Sequence, residues 1–321
     1  MTSNKVKKQH YVPQFYLRNF SKNGKRIEVF DKEQRKSYPA NIKDVACGNY
    51  FHDIDNEHFK DETQEMEKFL SRLEGNYKNS LDSVLKKLKD AKIEYLNTKS
   101  LSYDFNITQE EKRGIAEFFV LQWIRTDKKR KEFTQITETL RQAIKEHCED
   151  ANIDFNQVDT KYDVKMSQLD MIFSSIEPLS SYLMEQKWLF GMNMSAIPFY
   201  TSDNPAILDK EFCENKKYRG NGFESPNINF YLPLNSKFIL LVVEKNFYEL
   251  GKYIDLYINN IACFDNDNVL YCNDLQLKES LFQIYSETSE FFHIEQEYCH
   301  QKNINGKKDR LLIRSNYPTP K

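Results

Sequence analysis

Apolar residues recur at intervals of three and four from Met66 through Phe69, Leu70, Leu73, Tyr77, Leu81, Val84 and Leu85 to Leu88. That spacing predicts helix over residues 58–95, with Gly75 and Asn76 as a point where it could divide. Thr108 is followed three residues later by Glu111, the form of a capping box. A long helix is expected from there to about Lys145, with an interruption near Thr134. Residues 149–165 read as polar and irregular, and Ser167 to Lys187 as another helix. The pattern changes at Trp188. Short apolar runs at Trp188–Phe190, Ala196–Thr201, Ile228–Pro233, Phe238–Val243 and Val269–Cys272 are strand-sized. Residues 209–227 read as a loop, and Phe247–Ala262 and Leu275–Glu287 as helices. Ahead of all this, Pro13 suits the first turn of a short helix. Ser21-Lys-Asn-Gly24 is a turn, and Lys25–Phe30 alternates as a half-buried strand does.

This order predicts an α+β fold, with a helical N-terminal half (1–187) packed on a mixed or antiparallel sheet from the strand-rich half (188–321). No Pro/Gly/Ser-rich linker separates the halves, so one domain over 1–321 is expected. Of the 321 residues, 46 are Lys or Arg and 48 Asp or Glu, a formal charge of −2. That balance excludes a strongly basic nucleic-acid module and leaves room for a local basic patch. The 23 Phe and 19 Tyr exclude a disordered chain. The basic N-terminus lacks the apolar run of a signal peptide, and no apolar run reaches membrane-spanning length. Six scattered cysteines without a CxxC pair suggest reduced thiols. A cytoplasmic protein is the expectation.

Three polar clusters stand out on apolar segments. The first, His10-Tyr-Val-Pro-Gln14-Phe-Tyr-Leu-Arg18-Asn-Phe20, combines an imidazole, an amide and a guanidinium among aromatic anchors. Gln14 and Arg18 share a helical face. In the second, Gln122 interrupts the run Ile115–Trp123, and Arg125 and Lys129 follow on the same face. The planar fork of an arginine suits a phosphate or carboxylate. The third, Thr201-Ser202-Asp203-Asn204-Pro205, follows a strand, and its side chains point where the strand ends. Each cluster is equally open to a structural role: hydrogen bonds sealing a helix, an Arg–Glu tie, an Asx turn. Weaker candidates are a cation loop at His52–His58, a zinc set of His293, Cys299 and His300, and the basic runs Lys128–Lys131 and Lys307-Lys308. No Walker loop, GxGxxG, GxSxG or HExxH occurs.

The string His10–Phe20 resembles the opening signature of a large, mainly bacterial family catalogued as domain of unknown function 4238. Asn41–Val45 leading to Tyr50-Phe51, Gln122-Trp-Ile-Arg125-Thr126, Phe199–Pro205 and Asn259 or Asn260 ahead of Val269–Tyr271 are similar to its later blocks. The resemblance covers roughly residues 8–275. It implies that the three clusters are shared polar features and meet in one site. His10, Arg18, Arg125 and Asp203 would then be catalytic, and Gln14, Gln122, Ser202 and Asn204 would bind substrate. Such a set suits phosphodiester chemistry: His10 as general acid/base, the arginines on the developing charge, Asp203 orienting His10 or holding a divalent metal. A ribonuclease-like effector of a defence or toxin system follows, acting on RNA or a nucleotide away from any membrane. A partner protein from the same operon fits that setting. The rival readings are a non-catalytic binder of a nucleotide, phosphate or peptide, and a purely structural interaction protein.

Overall fold

The computed structural model describes residues 7–53, 63–99, 105–151, 153–158, 163–209, 222–245, 261–291 and 294. The chain opens with a short strand, β1 (Lys8–His10), a single helical turn, α1 (Gln14–Leu17), and a 3-10 turn over Arg18–Phe20. A turn with Gly24 at φ +67° leads into the hairpin β2 (Arg26–Asp31) and β3 (Lys36–Asn41). Strand β4 (Cys47–Asn49) returns to pair antiparallel with β1, placing His10 opposite Cys47.

Helix α2 (Thr63–Thr98) runs unbroken through Gly75, where nothing crowds the backbone. Its buried stripe of Leu70, Tyr77, Leu81, Val84, Leu85 and Leu88 is the one that the three-and-four spacing predicts. Helix α3 (Gln109–Ile124) starts at the predicted capping box, with Thr108 accepting from the Glu111 N–H and Glu111 reaching back. The predicted long helix divides at Arg125-Thr126 rather than near Thr134, and continues as α4 (Asp127–Asp150). Thr126 is the reason. Its backbone is extended and its hydroxyl accepts from the Lys129 N–H, so it caps a new helix. A short α5 (Phe155–Val158) and α6 (Val164–Met184) complete the helical half.

The strand-rich half forms a five-stranded sheet in the order β10-β5-β9-β8-β7, from β5 (Lys187–Asn193), β7 (Ile207–Asp209), β8 (Asn229–Asn235), β9 (Phe238–Val243) and β10 (Ile261–Phe264). All neighbours are antiparallel except β10 and β5. Strand β9, Phe-Ile-Leu-Leu-Val-Val, is buried on both faces, so it lacks alternation. Its Phe238, Leu240 and Val242 join the main core with α2, α3 and α6. Ile239, Leu241 and Val243 face α7 (Asn266–Glu279) on the other side. A second sheet, β3-β2-β11-β6, takes two strands from the N-terminal hairpin, with β6 (Thr201–Ser202) and β11 (Gln283–Ser286). The chain is thus α+β, with helices mainly in the N-terminal half and sheet mainly in the C-terminal half.

Three local expectations are corrected. The run Ala196–Thr201 is strand only at Thr201-Ser202; Phe199 and Tyr200 give their N–H groups to the Ser236 carbonyl and the Asn273 side chain. Val269–Cys272 is helix, because Asp265 and Asn268 cap each other reciprocally. The C-terminal part of the predicted helix Leu275–Glu287 is strand β11. The expected loop 209–227 and helix Phe247–Ala262 lie largely outside the described residues, though 261–264 are strand.

Candidate functional site

Strand β1 and the Pro13 turn fix the first cluster. Val12, Tyr16, Leu17 and Phe20 point inward and are fully buried. The Tyr16 hydroxyl donates to the Pro233 carbonyl (2.6 Å) and lies 2.9 Å from the Thr201 hydroxyl. The His10 ring is half-buried and held by the Ile42 backbone, while its Nε2 has no hydrogen-bond partner. Burial lowers its pKa below the ordinary histidine value, and the Arg125 charge adds to that. Gln14 and Arg18 lie on the outer side: the exposed Arg18 guanidinium donates to Gln14 Oε1 at 3.2 Å, the i, i+4 pairing the sequence predicts.

The second cluster sits where α3 ends. Arg125 is only 1% exposed, and its Nη1 donates to Glu74 Oε1 at 2.8 Å while Nη2 donates to the His10 carbonyl. Its Nε has no partner. Gln122, one turn earlier, is fully buried, with neither amide atom hydrogen-bonded. His52 approaches the same His10 carbonyl through Nε2 (3.4 Å), and its Nδ1 is unpartnered. Burial, then the charges of Arg125 and Arg130, hold the His52 pKa well below the histidine range. Arg130 donates to Gln168 Oε1 (2.9 Å) and the Phe51 carbonyl (2.8 Å) and lies over the Phe51 ring, with Nη2 left over. Burial pulls its pKa down to about 10.

In the third cluster the polar groups are spent on the fold. Asp203 is buried and accepts three backbone N–H groups, from Leu281 (2.8 Å), Phe282 (2.6 Å) and Gln283 (3.0 Å). Burial raises its pKa, and the three amides oppose that rise. Ser202 donates to Gln276 Oε1 at 2.7 Å. Asn204 accepts from the Thr126 hydroxyl (3.1 Å) and donates to the Glu279 carbonyl (3.1 Å).

The clusters are joined by direct bonds. Arg125 to His10 joins the first two, Thr126 to Asn204 the second and third, and Tyr16 to Thr201 the first and third. No hydrogen bond joins His10 to Asp203, and Arg18 bonds only to Gln14 among the described residues. Three buried donors in these segments have no protein acceptor, Arg125 Nε, Arg130 Nη2 and Gln122 Nε2, and two buried ring nitrogens, His10 Nε2 and His52 Nδ1, have no partner; in neutral rings that bond through the other nitrogen these two are acceptors. Sequence reasoning misses three members of this neighbourhood. Glu74 lies 51 positions from Arg125 and has no local signal. His52 stands in a segment that reads as a solvated turn, and Arg130 in a basic run that reads as a solvated face. That run is instead anchored: Lys128 pairs with Glu279, Lys129 with Glu132 and Lys131 with Asp127.

Among the described residues no group of three or more His, Cys, Asp or Glu is placed to hold a metal ion. Most of the proposed cation loop and all of the zinc set lie outside the described residues, as does Lys307-Lys308. Cys47, Cys148, Cys263 and Cys272 are free thiols. No described helix is long and apolar enough to cross a membrane. A family model described as Protein of unknown function (DUF4238) matches residues 8–290. No curated protein and no solved structure matches the chain.

Proposed function

The chain belongs to this family of unknown function, and we propose that it is a binding module for a phosphate-bearing ligand, held where His10, His52, Gln122, Arg125 and Arg130 meet. One observation carries the reading: three buried donors in that neighbourhood, Arg125 Nε, Arg130 Nη2 and Gln122 Nε2, lack a protein acceptor. A buried donor without an acceptor costs about 1–3 kcal/mol, so a cluster of them favours an oxygen-rich anion. Two guanidiniums supply the charge, and among the described residues Glu74 alone forms an ion pair with Arg125. His10 and Arg130 are the half-buried members of the set, although His10 Nε2 itself is covered.

A second reading, phosphodiester cleavage, is favoured by His10 itself. Burial keeps its imidazole neutral at pH 7 with Nε2 available, the state a general base needs. Among the described residues no carboxylate is hydrogen-bonded to its ring, and Asp203 is committed to three amides. The binder is therefore the preferred reading.

The test follows the histidine ring nitrogens by NMR during titration with orthophosphate and a 5′-mononucleotide. A saturable shift of the His10 ring is expected. His10→Gln and Arg125→Lys, each checked for a native thermal transition, should weaken binding at least about tenfold. No shift for either probe at millimolar concentration overturns the proposal. Cleavage of a labelled RNA, with or without a divalent metal, that is lost in His10→Ala would move the assignment to the catalytic reading.

A further inference from the structure

The first 44 residues hold eleven Lys and Arg against four Asp and Glu, in a chain whose formal charge is −2. Nine of these cations are exposed among the described residues, and five of the nine form one set: Arg18, Lys22, Lys25, Arg26 and Lys43. The fold brings them to one end of the β2–β3 hairpin. Arg26 lies opposite Asn41 in the strand register, and the Ile42 N–H donates to the Lys25 carbonyl at 3.0 Å, which places Lys43 beside Lys25. Arg18 opens the 3-10 turn that precedes this end, and Lys22 lies in the turn that feeds β2, where Asn23 accepts from the N–H groups of both Lys25 and Arg26.

Several cations elsewhere in the chain are paired. Lys78, Lys87, Arg125, Lys128, Lys129, Lys131, Lys145 and Lys245 each meet a carboxylate. None of the five hairpin cations has an ion-pair partner among the described residues, and the nearby Asp44 is taken by Lys8. Like charges gathered at one end of a hairpin without carboxylate partners repel each other, so a surface of this kind is stabilised by an external polyanion. The partner's class follows from what the patch lacks. No large apolar side chain is exposed between residues 18 and 43. A protein interface has an apolar centre, and stable membrane anchoring adds inserted apolar groups or a lipid chain to a polybasic patch. A purely cationic surface matches the phosphodiester backbone, whose binding is electrostatic and independent of sequence.

We infer that the hairpin end formed by Arg18, Lys22, Lys25, Arg26 and Lys43 is a docking surface for the phosphate backbone of a nucleic acid, leading to the anion cluster around His10. Its link to that cluster is structural: Ile42, which bonds Lys25, also holds the His10 ring. The assignment of a polynucleotide rather than a free nucleotide as ligand rests on the phosphate-binding reading above; the docking surface itself stands on its own charges.

The experiment measures fluorescence anisotropy of a labelled oligouridylate of about 20 nucleotides, enough to span one binding surface, and of its DNA counterpart. Wild type is expected to bind, with affinity falling about 100-fold between 50 and 200 mM salt, as about five phosphate contacts to a single strand require. Lys22→Glu/Lys25→Glu/Lys43→Glu, all at exposed positions, should lose binding at least tenfold while keeping its thermal transition. It should keep the orthophosphate-induced shift of the His10 ring. Equal binding of wild type and triple variant overturns the surface, as does no binding at 50 mM salt. Poly-glutamate bound as tightly as RNA also overturns it, in favour of an acidic protein partner. RNA binding that survives while orthophosphate gives no ring shift retains the docking surface and removes the anion cluster, so the two failures are told apart.

Discussion

His52 is buried beside two arginines and is therefore neutral in the fold. In the unfolded chain its ring protonates near pH 6.5. Below that pH the unfolded state binds a proton that the folded state refuses, so stability falls as the medium is acidified. With the folded pKa well below the histidine range, His52 alone should remove about 1.4 kcal/mol of stability between pH 7.5 and 5.5. His10, shifted the same way, adds to the loss. Urea midpoints of wild type and His52→Asn across that range give the measurement. A steeper loss in wild type than in the variant is expected, and identical slopes would refute the assignment. The histidines also show what single residues in a sequence reveal. His10, Gln122, Arg125 and Asp203 are legible because each is polar on an apolar segment, and buried polar groups need partners. The kind of partner is not legible. Asp203 meets three amides contributed 78 to 80 positions later, and Arg125 a glutamate 51 positions earlier. No local pattern encodes such distances.

Among the elements, helices are more legible than strands, and the reason is visible in α2 and α3. Their apolar stripes repeat over many turns, so α2 can be recognised without its ends. The break at Arg125-Thr126 escapes notice because it uses neither Gly nor Pro, only a threonine cap followed by Asp127. Part of helix α7 reads as strand because Val-Leu-Tyr-Cys favours β structure, whereas the Asp265–Asn268 reciprocal cap and the sheet beneath it favour helix. The packing of α2 on α3 depends on one glycine. A Cβ at Gly114 would stand 2.2 Å from Ser80 Oγ and 2.7 Å from Ser80 Cβ. Alanine in place of glycine inside a helix normally gains about 1 kcal/mol, while overpacking costs about 1–3 kcal/mol. The contact with Cβ cannot be relieved by rotating the serine, so Gly114→Ala should be destabilising on balance. Adding Ser80→Gly to Gly114→Ala should recover part of the loss, giving a double-mutant cycle that is less than additive. A Gly114→Ala protein that melts higher than wild type would show that the two helices can separate at no cost.

At the scale of the whole molecule, one buried cluster extends from Val12 and Tyr16 through α2, α3 and α6 to β5, β8, β9 and Tyr285. The second sheet mixes β2 and β3 from the start of the chain with β11 from its far end. Val29 on β2 lies opposite Tyr285 on β11, so neither half can leave without opening a sheet edge and exposing apolar surface. The expectation of one domain over 1–321 then becomes a claim about cooperativity. The two tryptophans are placed to test it. Trp123 lies on α3 in the helical half, edge-on to Phe223 and beneath Lys129. Trp188 lies on β5 in the strand-rich half, its ring nitrogen donating to the Leu183 carbonyl at 2.8 Å. In Trp188→Phe the fluorescence reports the first environment, and in Trp123→Phe the second. If the chain unfolds as one unit, each variant's fluorescence transition in urea coincides with its own far-UV circular dichroism transition. If the halves are separable domains, Trp123 and Trp188 will depart from the circular dichroism curve in opposite directions, because helix dominates that signal and sits mainly in the half that Trp123 reports.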